Sequence, residues 1–200
     1  LDKVGRDKAC LIMHTDVKDV HGQDLQRIIS DHGLNDGQVL FSQEKVQNTD
    51  LAQMYGCADV TICISDAEGF GLSTLESLSC GTPILVNMTG GLQDQATDGE
   101  RFFGKGIYPA SKAIIGSQEV PYIYEDRLNE DDFVNALKEI YDLSEEDRLQ
   151  LRTDCAAWAR DRFNFDNFVE SWDNLFTKVY EEKGSWDTRQ GHVPFEVRTY

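Results

Sequence analysis

The sequence predicts an α/β fold, in which a doubly wound parallel sheet carries helices on both faces. Strand-like and helix-like segments alternate along residues 9–87, which is the rhythm of such a sheet. Residues 9–14 form a continuous apolar run, as in a parallel strand that is buried on both faces. Residues 60–64 form another strand pattern and lead through a glycine-containing turn into a short helix. Ligands of such sheets bind beyond the carboxyl ends of the strands, so a site is expected there.

The predicted elements are separated by short connections, apart from one long segment. The first part has strands at 9–14, 38–41, 60–64 and 84–87 and helices at 24–32, 49–58 and 72–80. Three more helices are predicted at 130–143, 144–162 and 166–182. Residues 98–129 contain several glycines and prolines and are predicted to form a long loop, with one short strand at 120–124. This loop is either functional or a packed surface excursion.

Two features of the C-terminal helices can be predicted in more detail. Ser144 and Asp147 have the spacing of an N-cap residue and its capping partner. Aromatic residues recur along the last two helices and are predicted to be core or packing residues. They are Trp158, Phe163, Phe165, Phe168, Trp172 and Phe176.

Length, charge and composition exclude some functions. The 200 residues suit one α/β domain, which we expect at 1–183, with a tail without periodicity at 184–200. The net charge of −17 argues against a nucleic-acid partner, because binding to nucleic acid needs a basic surface. The five cysteines lack C-x-x-C spacing, and no apolar run is long enough for a transmembrane segment. A cytoplasmic location is therefore expected.

The turn and helix after residue 64 carry the most specific pattern in the chain. Gly69 and Gly71 remove side chains from the turn, so that a ligand can approach the backbone closely. The first helical turn leaves backbone N–H groups unpaired, and such groups bind phosphate readily. Gly81 and Pro83 end the helix. The predicted buried stripe of this helix is Leu72, Leu75 and Leu78, with Ser73, Thr74 and Ser77 facing elsewhere.

Two carboxylates flank the same turn. Glu68 precedes the helix, and Glu76 lies about one turn inside it. Phosphate alone would not favour two acids, because like charges repel. Carboxylates accept hydrogen bonds from sugar hydroxyls, so the pair suggests a ligand with phosphate and hydroxyls, such as a nucleotide-sugar. Either acid taken alone would also be explained as an ordinary solvated residue, because acids are common near helix starts.

The segment from Glu68 to Glu76, followed by Cys-Gly-Thr-Pro at 80–83, resembles the E-x7-E signature of retaining glycosyltransferases with the GT-B fold. Residues 50–60, 87–91 and 159–165 are similar to other segments of that family, and the resemblance spans about 10–182. These enzymes transfer a sugar from a nucleotide diphosphate to an acceptor, and they pair two Rossmann-like halves. The chain resembles the C-terminal, donor-binding half.

The resemblance implies a role for each residue of the turn. Glu68 is the expected catalytic residue and would contact hydroxyls of the transferred sugar, while Glu76 would accept hydrogen bonds from the ribose. The other expected donor-binding residues are Gly69, Phe70, Gly71, Leu72, Ser73, Gly90 and Gly91, with the last two lining a phosphate channel. The resemblance also implies retention of anomeric configuration, no metal ion, and a nucleotide-diphosphate sugar as donor substrate in place of a cofactor.

The resemblance further implies parts of the enzyme outside this sequence. An N-terminal acceptor-binding domain, and a first strand with basic residues for the diphosphate, would precede Leu1. The chain alone is therefore expected to bind a donor weakly and to be inactive. Within it, Arg101 and Lys105 are candidates for local positive charge. The acceptor, whether carbohydrate, lipid or protein, is not specified by the sequence.

Alternatives to a transferase remain open. A GT-B sugar-nucleotide epimerase or phosphorylase shares the fold, although both glutamates at the transferase spacing disfavour it. A non-catalytic nucleotide-binding or interaction module would bind a nucleotide without turnover. A dinucleotide-dependent dehydrogenase is not predicted, because no G-x-G-x-x-G follows the first strand.

Overall fold

The structure, a computed structural model, describes residues 1–20, 22–185 and 187–188. It contains two compact units, Leu1–Asp50 and Leu51–Tyr200. Most of the predicted tail at 184–200 lies outside the described residues. None of the helices in the described part of the chain combines the length and apolarity that crossing a membrane requires.

The first unit is a small parallel α/β element. It consists of β1 (Leu11–His14), α1 (Leu25–Asp31) and β2 (Val39–Ser42), and the two strands pair in parallel. The prediction of a strand buried on both faces is wrong for β1, because Leu11 and Ile12 are 42% and 49% exposed. Within this unit, two strands and one short helix offer too little apolar surface to cover both faces.

The second unit contains a three-stranded parallel sheet with strand order β3-β4-β5. Its elements up to that sheet's last strand are α2 (Asn48–Cys57, which begins in the first unit), β3 (Thr61–Cys63), α3 (Leu72–Ser79), β4 (Ile84–Asn87), α4 (Leu92–Ala96) and β5 (Gly104–Ile107). The remaining elements are β6 (Ser111–Ile115), β7 (Ile123–Arg127), α5 (Glu130–Tyr141), α6 (Glu145–Arg162) and α7 (Phe165–Lys183).

Helices cover both faces of this sheet, as predicted. The central strand β4 is buried along its whole length, and its alternate residues enter two separate cores. Ile84 and Val86 pack with Leu78 of α3 and with α6, whereas Leu85 packs with Ile140 of α5. Such a doubly covered parallel sheet confirms the predicted α/β class.

The predicted faces of α3 are wrong in two respects. Leu78 is fully buried, but Leu72 is 71% exposed, and Thr74 and Ser77 are fully buried instead. The two hydroxyls can enter the interior because each finds partners there. The single Thr74 hydroxyl proton is shared between Gly71 O at 2.8 Å and Gln95 Oε1 at 2.7 Å, and Ser77 Oγ donates to Thr82 O at 3.0 Å.

The long loop predicted at 98–129 is also wrong, because this segment contains β5, β6 and β7. Two of the glycines that suggested a loop, Gly104 and Gly106, lie inside β5, where neighbouring atoms leave no room for a side chain. A Cβ atom on Gly104 would lie 1.9 Å from Ile84 O, and one on Gly106 would lie 2.4 Å from the sulfur of Met88. β6 and β7 form an antiparallel hairpin that the sequence pattern indicated only at 120–124.

The C-terminal aromatics divide into two groups. Trp158 is partly buried and stacks on the buried Phe103 with a centroid distance of 4.7 Å. The aromatics of α7 do not enter a core, so the core alternative is wrong for them, and they pack against one another along the helix. Their exposed fractions are 75% for Phe165, 57% for Phe168, 44% for Trp172 and 62% for Phe176.

The predicted helix caps are confirmed. Ser144 precedes α6, where its Oγ accepts from Asp147 N at 3.1 Å and donates to the Asp147 carboxylate at 2.6 Å. Gly81 follows α3 with a φ of +76°, the left-handed conformation expected after a helix end.

The burial of α3 leads to a stability prediction. Leu78→Ala should lower the free energy of unfolding by about 2–5 kcal/mol, because it leaves a cavity in the core. Leu72→Ala, the matched control on the exposed side, should change it by less than about 0.5 kcal/mol. Urea denaturation of both variants measures the difference, and equal losses would contradict this placement of α3.

Candidate functional site

The turn between β3 and α3 is fixed in shape by Gly71. This residue precedes α3 with a φ of +87°, a conformation that glycine adopts without strain. A Cβ atom there would lie 2.6 Å from Leu92 Cδ2 and 2.7 Å from Thr74 Oγ1. Both the backbone conformation and the available space therefore require glycine at the start of α3.

The start of α3 presents unpaired donors. Among the described residues, the N–H groups of Leu72, Ser73 and Thr74 have no hydrogen-bond acceptor, and the first helical bond is Leu75 N to Gly71 O at 3.2 Å. Gly71 has no side chain with which to cap them. Unpaired amides at the positive end of a helix dipole are the kind of arrangement that favours an anion, so the predicted phosphate site stays a prediction at this position.

A buried glutamine, Gln95, hydrogen-bonds to the backbone of the turn. The Nε2 atom of Gln95 donates to Phe70 O at 2.6 Å and Gly71 O at 3.1 Å, and its Oε1 accepts from Thr74 Oγ1 at 2.7 Å. In a trans peptide the N–H points away from the preceding C=O. Gln95 therefore turns two carbonyls inward and directs the amides of Gly71 and Leu72 away from itself.

Sequence reasoning missed Gln95. It lies on α4, a five-residue helix that had not been predicted, and it is fully buried. Glutamine is usually exposed, so nothing in the local pattern marks it as an interior residue. Its backbone carbonyl accepts the indole N–H of Trp158 at 2.9 Å, which ties the turn to the aromatic core.

The glycine pair after β4 packs against the turn. A Cβ atom on Gly90 would lie 1.8 Å from Glu68 O, and one on Gly91 would lie 2.5 Å from Gly69 O. Gly91 N also donates to these two carbonyls, at 3.3 and 3.1 Å. The pair thus brings two backbone segments into direct contact at the carboxyl edge of the sheet, in addition to its predicted role beside the phosphates.

The two carboxylates lie at the ends of this arrangement. Glu68 is half-buried in the turn, and Glu76 is exposed in the second turn of α3. The phenol of Tyr55 donates to Glu76 Oε2 at 3.0 Å. Burial and the neighbouring Glu76 raise the pKa of Tyr55, so the phenol stays protonated. Partial burial and the charge of Glu76 also raise the pKa of the Cys80 thiol.

The β6–β7 hairpin is anchored beside the turn. Asp126 N donates to Asp66 O at 2.8 Å, and Arg127 forms ion pairs with the carboxylates of Asp66 and Glu125. Asn87, at the carboxyl end of β4, donates through Nδ2 to Ser65 O at 2.9 Å. Its buried Oδ1 has no partner within the part of the chain that the structure describes.

The basic candidates from the sequence lie elsewhere. Arg101 precedes the amino end of β5, at the opposite edge of the parallel sheet from the turn, and pairs with Asp98 and Asp154. Lys105 lies within β5 and pairs with Glu139 of α5 at 2.5 Å. Arg127 is the basic residue that does lie beside the turn, and it was missed because its segment was predicted to be a loop.

An open groove of about 800 Å³ borders the site. It runs between Phe70 and Leu75 on one side and the start of α7 on the other, and Phe163 contacts the Phe70 ring edge-on at 6.0 Å. Glu68 and Glu76 do not line it. Across the described residues, no three His, Cys, Asp or Glu side chains are grouped as a metal site would require.

Comparison with known proteins identifies the family. The sequence model described as Glycosyl transferases group 1 matches residues 20–160. The chain belongs to the group 1 glycosyltransferases. Its predicted recognition as a glycosyltransferase domain is thereby confirmed.

Curated relatives of this glycosyltransferase include two bacterial proteins named D-inositol 3-phosphate glycosyltransferase. The one from Paenarthrobacter aurescens is 40% identical over 75 residues, which are 38% of this chain and 18% of the relative. The one from an Arthrobacter species is 31% identical over 113 residues, which are 56% of this chain and 26% of the relative. The chain thus matches about a quarter or less of these relatives' own length.

Solved structures show the same fold. Sucrose-phosphate synthase from Thermosynechococcus elongatus aligns with a TM-score of 0.60 and 22% identity over 86% of this chain and 38% of its own. Anabaena HepE in complex with UDP-glucose aligns with a TM-score of 0.59 and 16% identity over 84% of this chain and 41% of its own. These similarities confirm the predicted fold, that of GT-B glycosyltransferases.

The glycine contacts predict a sharp difference between two neighbouring substitutions. Gly91→Ala should destabilise the chain by about 1–3 kcal/mol, because the new methyl group overlaps the backbone of the turn. Gly69→Ala, where a Cβ atom would meet nothing within 4 Å, is the control and should cost less than about 1 kcal/mol. Thermal and urea unfolding compare them. Equal stability of the two variants would mean that the segments are not in contact.

The thiol beside Glu76 provides a chemical test of the carboxylate's position. Because Glu76 adds to the effect of burial on the Cys80 pKa, Glu76→Gln should increase the thiolate fraction of Cys80 and speed its alkylation near pH 8. The exposed Cys57 is the internal control and should react at an unchanged rate. Mass spectrometry after timed iodoacetamide treatment measures both, and an unchanged Cys80 rate would contradict the proximity.

Proposed function

We propose that this chain is the donor-binding part of a retaining glycosyltransferase. It binds a nucleotide-diphosphate sugar at residues 68–73, and the whole enzyme transfers the sugar to an acceptor. The observation that carries the proposal is the combination, at one helix start, of unpaired amides with Glu68 and Glu76 on either side. Membership of the group 1 glycosyltransferases supports it.

Each part of the site has a chemical task in this proposal. The amides of Phe70, Gly71, Leu72 and Ser73 bind the diphosphate and sugar hydroxyls, and they stabilise the charge that develops on the leaving diphosphate. Glu76 accepts hydrogen bonds from the ribose, and such charge-assisted bonds are strong. Glu68 orients the sugar near the reacting carbon, and Gly90 and Gly91 lie beside the phosphates.

The nature of the donor is suggested by the ligands bound in similar structures. HepE was solved with UDP and with UDP-glucose, and Arabidopsis starch synthase IV was solved with ADP and acarbose. UDP- and ADP-sugars are therefore the first donors to test. Retention of configuration and independence from metal ions are proposed from the resemblance of residues 68–76 to the E-x7-E signature.

The charge near the site limits the affinity expected of this chain. Arg127 is the basic residue beside the turn, and two carboxylates already neutralise it. We therefore propose that a first strand of the donor-binding half supplies further basic groups for the diphosphate, and that an N-terminal domain supplies the binding site for a carbohydrate, lipid or protein acceptor. Without them, binding should be weak and transfer negligible. A cytoplasmic location stays a prediction.

Nucleotide binding can be measured by calorimetric titration with UDP, ADP, GDP and their glucose conjugates. One nucleotide should bind selectively, and Glu76→Gln should weaken it about 10- to 100-fold, the value of a hydrogen bond to a charged group. Glu146→Gln, an equal charge change on the exposed start of α6, is the control and should have no effect.

The outcomes separate the proposed function from its alternatives. An equal loss of affinity in both variants would indicate a non-specific effect on the fold and contradict a specific role for Glu76. In the full-length protein, Glu68→Gln should abolish transfer while nucleotide binding persists, and the anomeric configuration of the product can be assigned by NMR. Nucleotide binding without any turnover by the full-length wild type would instead favour a binding module.

A further inference from the structure

Tyr55 is held firmly at the end of α2. Its backbone carbonyl accepts the hydroxyl of the fully buried Thr82 at 2.6 Å. The next carbonyls, of Gly56 and Ala58, accept the guanidinium of Arg152, each at 2.8 Å. These hydrogen bonds join the backbone at Tyr55 to the start of β4 and to α6. The position from which the half-buried phenol reaches α3 is therefore fixed.

The Tyr55 phenol contacts the carboxylate of Glu76 on α3. It donates to Oε2 at 3.0 Å, and no other described residue hydrogen-bonds to this carboxylate, which leaves Oε1 available. Because its raised pKa keeps the Tyr55 phenol protonated at physiological pH, its O–H is available to donate to the carboxylate. One oxygen is thus occupied by the protein.

This contact matters because it restricts rotation of the exposed Glu76 side chain. An exposed glutamate has three rotatable side-chain bonds, and a ligand that binds it must stop their rotation. A hydrogen bond made before the ligand arrives removes part of that cost, which is the principle of preorganisation. Tyr55 supplies such a bond without competing for the second oxygen.

We infer that Tyr55 is a positioning residue for nucleotide recognition: it fixes one oxygen of Glu76 so that the other meets the ribose hydroxyls of the donor. The inference rests on the proposed function, in which Glu76 binds the ribose. It adds the residue that strengthens the preference of Glu76 for a ribose with free hydroxyls over one without them.

The first experiment needs no ligand. NMR couplings of the Glu76 side chain should report one rotamer in the wild-type chain and rotamer averaging in Tyr55→Phe, which keeps the ring and removes only the hydroxyl. Tyr141→Phe, the same change at an exposed site on α5, is the control and should leave the couplings unchanged. Averaging already present in the wild type would overturn the inference, whatever the chain binds.

The second experiment measures ribose recognition. UDP or ADP, whichever binds, is compared with its 2′,3′-dideoxy analogue by calorimetry. Tyr55→Phe should weaken binding of the ribonucleotide about two- to tenfold and leave the affinity for the dideoxy analogue unchanged. An equal loss for both ligands would mean that Tyr55 acts only on the fold, which would overturn the inference.

The wild type itself separates the two levels of the argument. If it binds both nucleotides equally, Glu76 does not recognise the ribose, and the proposed function fails at this residue together with the inference. If it prefers the ribonucleotide and Tyr55→Phe has the same preference, the proposed function stands and the inference fails. Thermal unfolding of Tyr55→Phe confirms that the variant is folded before either comparison.

Discussion

The site depends on one contact, the packing of the backbone at residues 68–70 against the glycine pair 90–91. Neither segment could approach the other if a side chain lay between them, since a Cβ atom would fall 1.8 Å from Glu68 O or 2.5 Å from Gly69 O. The contact fixes where α3 begins, and hence where its unpaired amides point. Everything proposed for the ligand follows from that start point, because a helix end binds an anion only if its first N–H groups are free and exposed.

Buried polar groups stabilise this arrangement from inside. Gln95, Thr74 and Ser77 are fully buried, and their hydrogen bonds go to the turn, to α3 and to the strand beside it. A buried polar group is tolerated only when it is paired, so each of them favours one arrangement of the surrounding backbone. This network gives the turn a defined shape before any ligand is bound. Outside the core, the hydrogen bond from Tyr55 positions the Glu76 carboxylate in the same way.

The sequence predicted the parts of the fold that depend on local patterns. The strand, turn and helix around Glu68, the caps of α6 and the end of α3 follow from glycine, proline and capping residues at fixed spacings. The parts it missed depend on contacts between distant segments. In the sequence, Gly104 and Gly106 indicate a loop, but in the structure they are strand residues packed against Ile84 and Met88. Thr74 likewise suggests an exposed helix face, but it is buried and hydrogen-bonded to Gln95. Sequence patterns do not reveal the contacts of Tyr55 and Gln95 for the same reason: neither residue is close to Glu68 or Glu76 along the chain.

The central claim, that the start of α3 is a nucleotide-diphosphate site, can be tested by mapping amide shifts. Titration of the ¹⁵N-labelled chain with UDP and ADP should shift the amides of residues 70–73, 76 and 90–91, with the largest changes at the unpaired N–H groups. Inorganic phosphate should shift residues 70–73 without shifting Glu76, because it lacks a ribose. Shifts confined to other parts of the chain at saturating nucleotide, or none at residues 70–73, would contradict the claim.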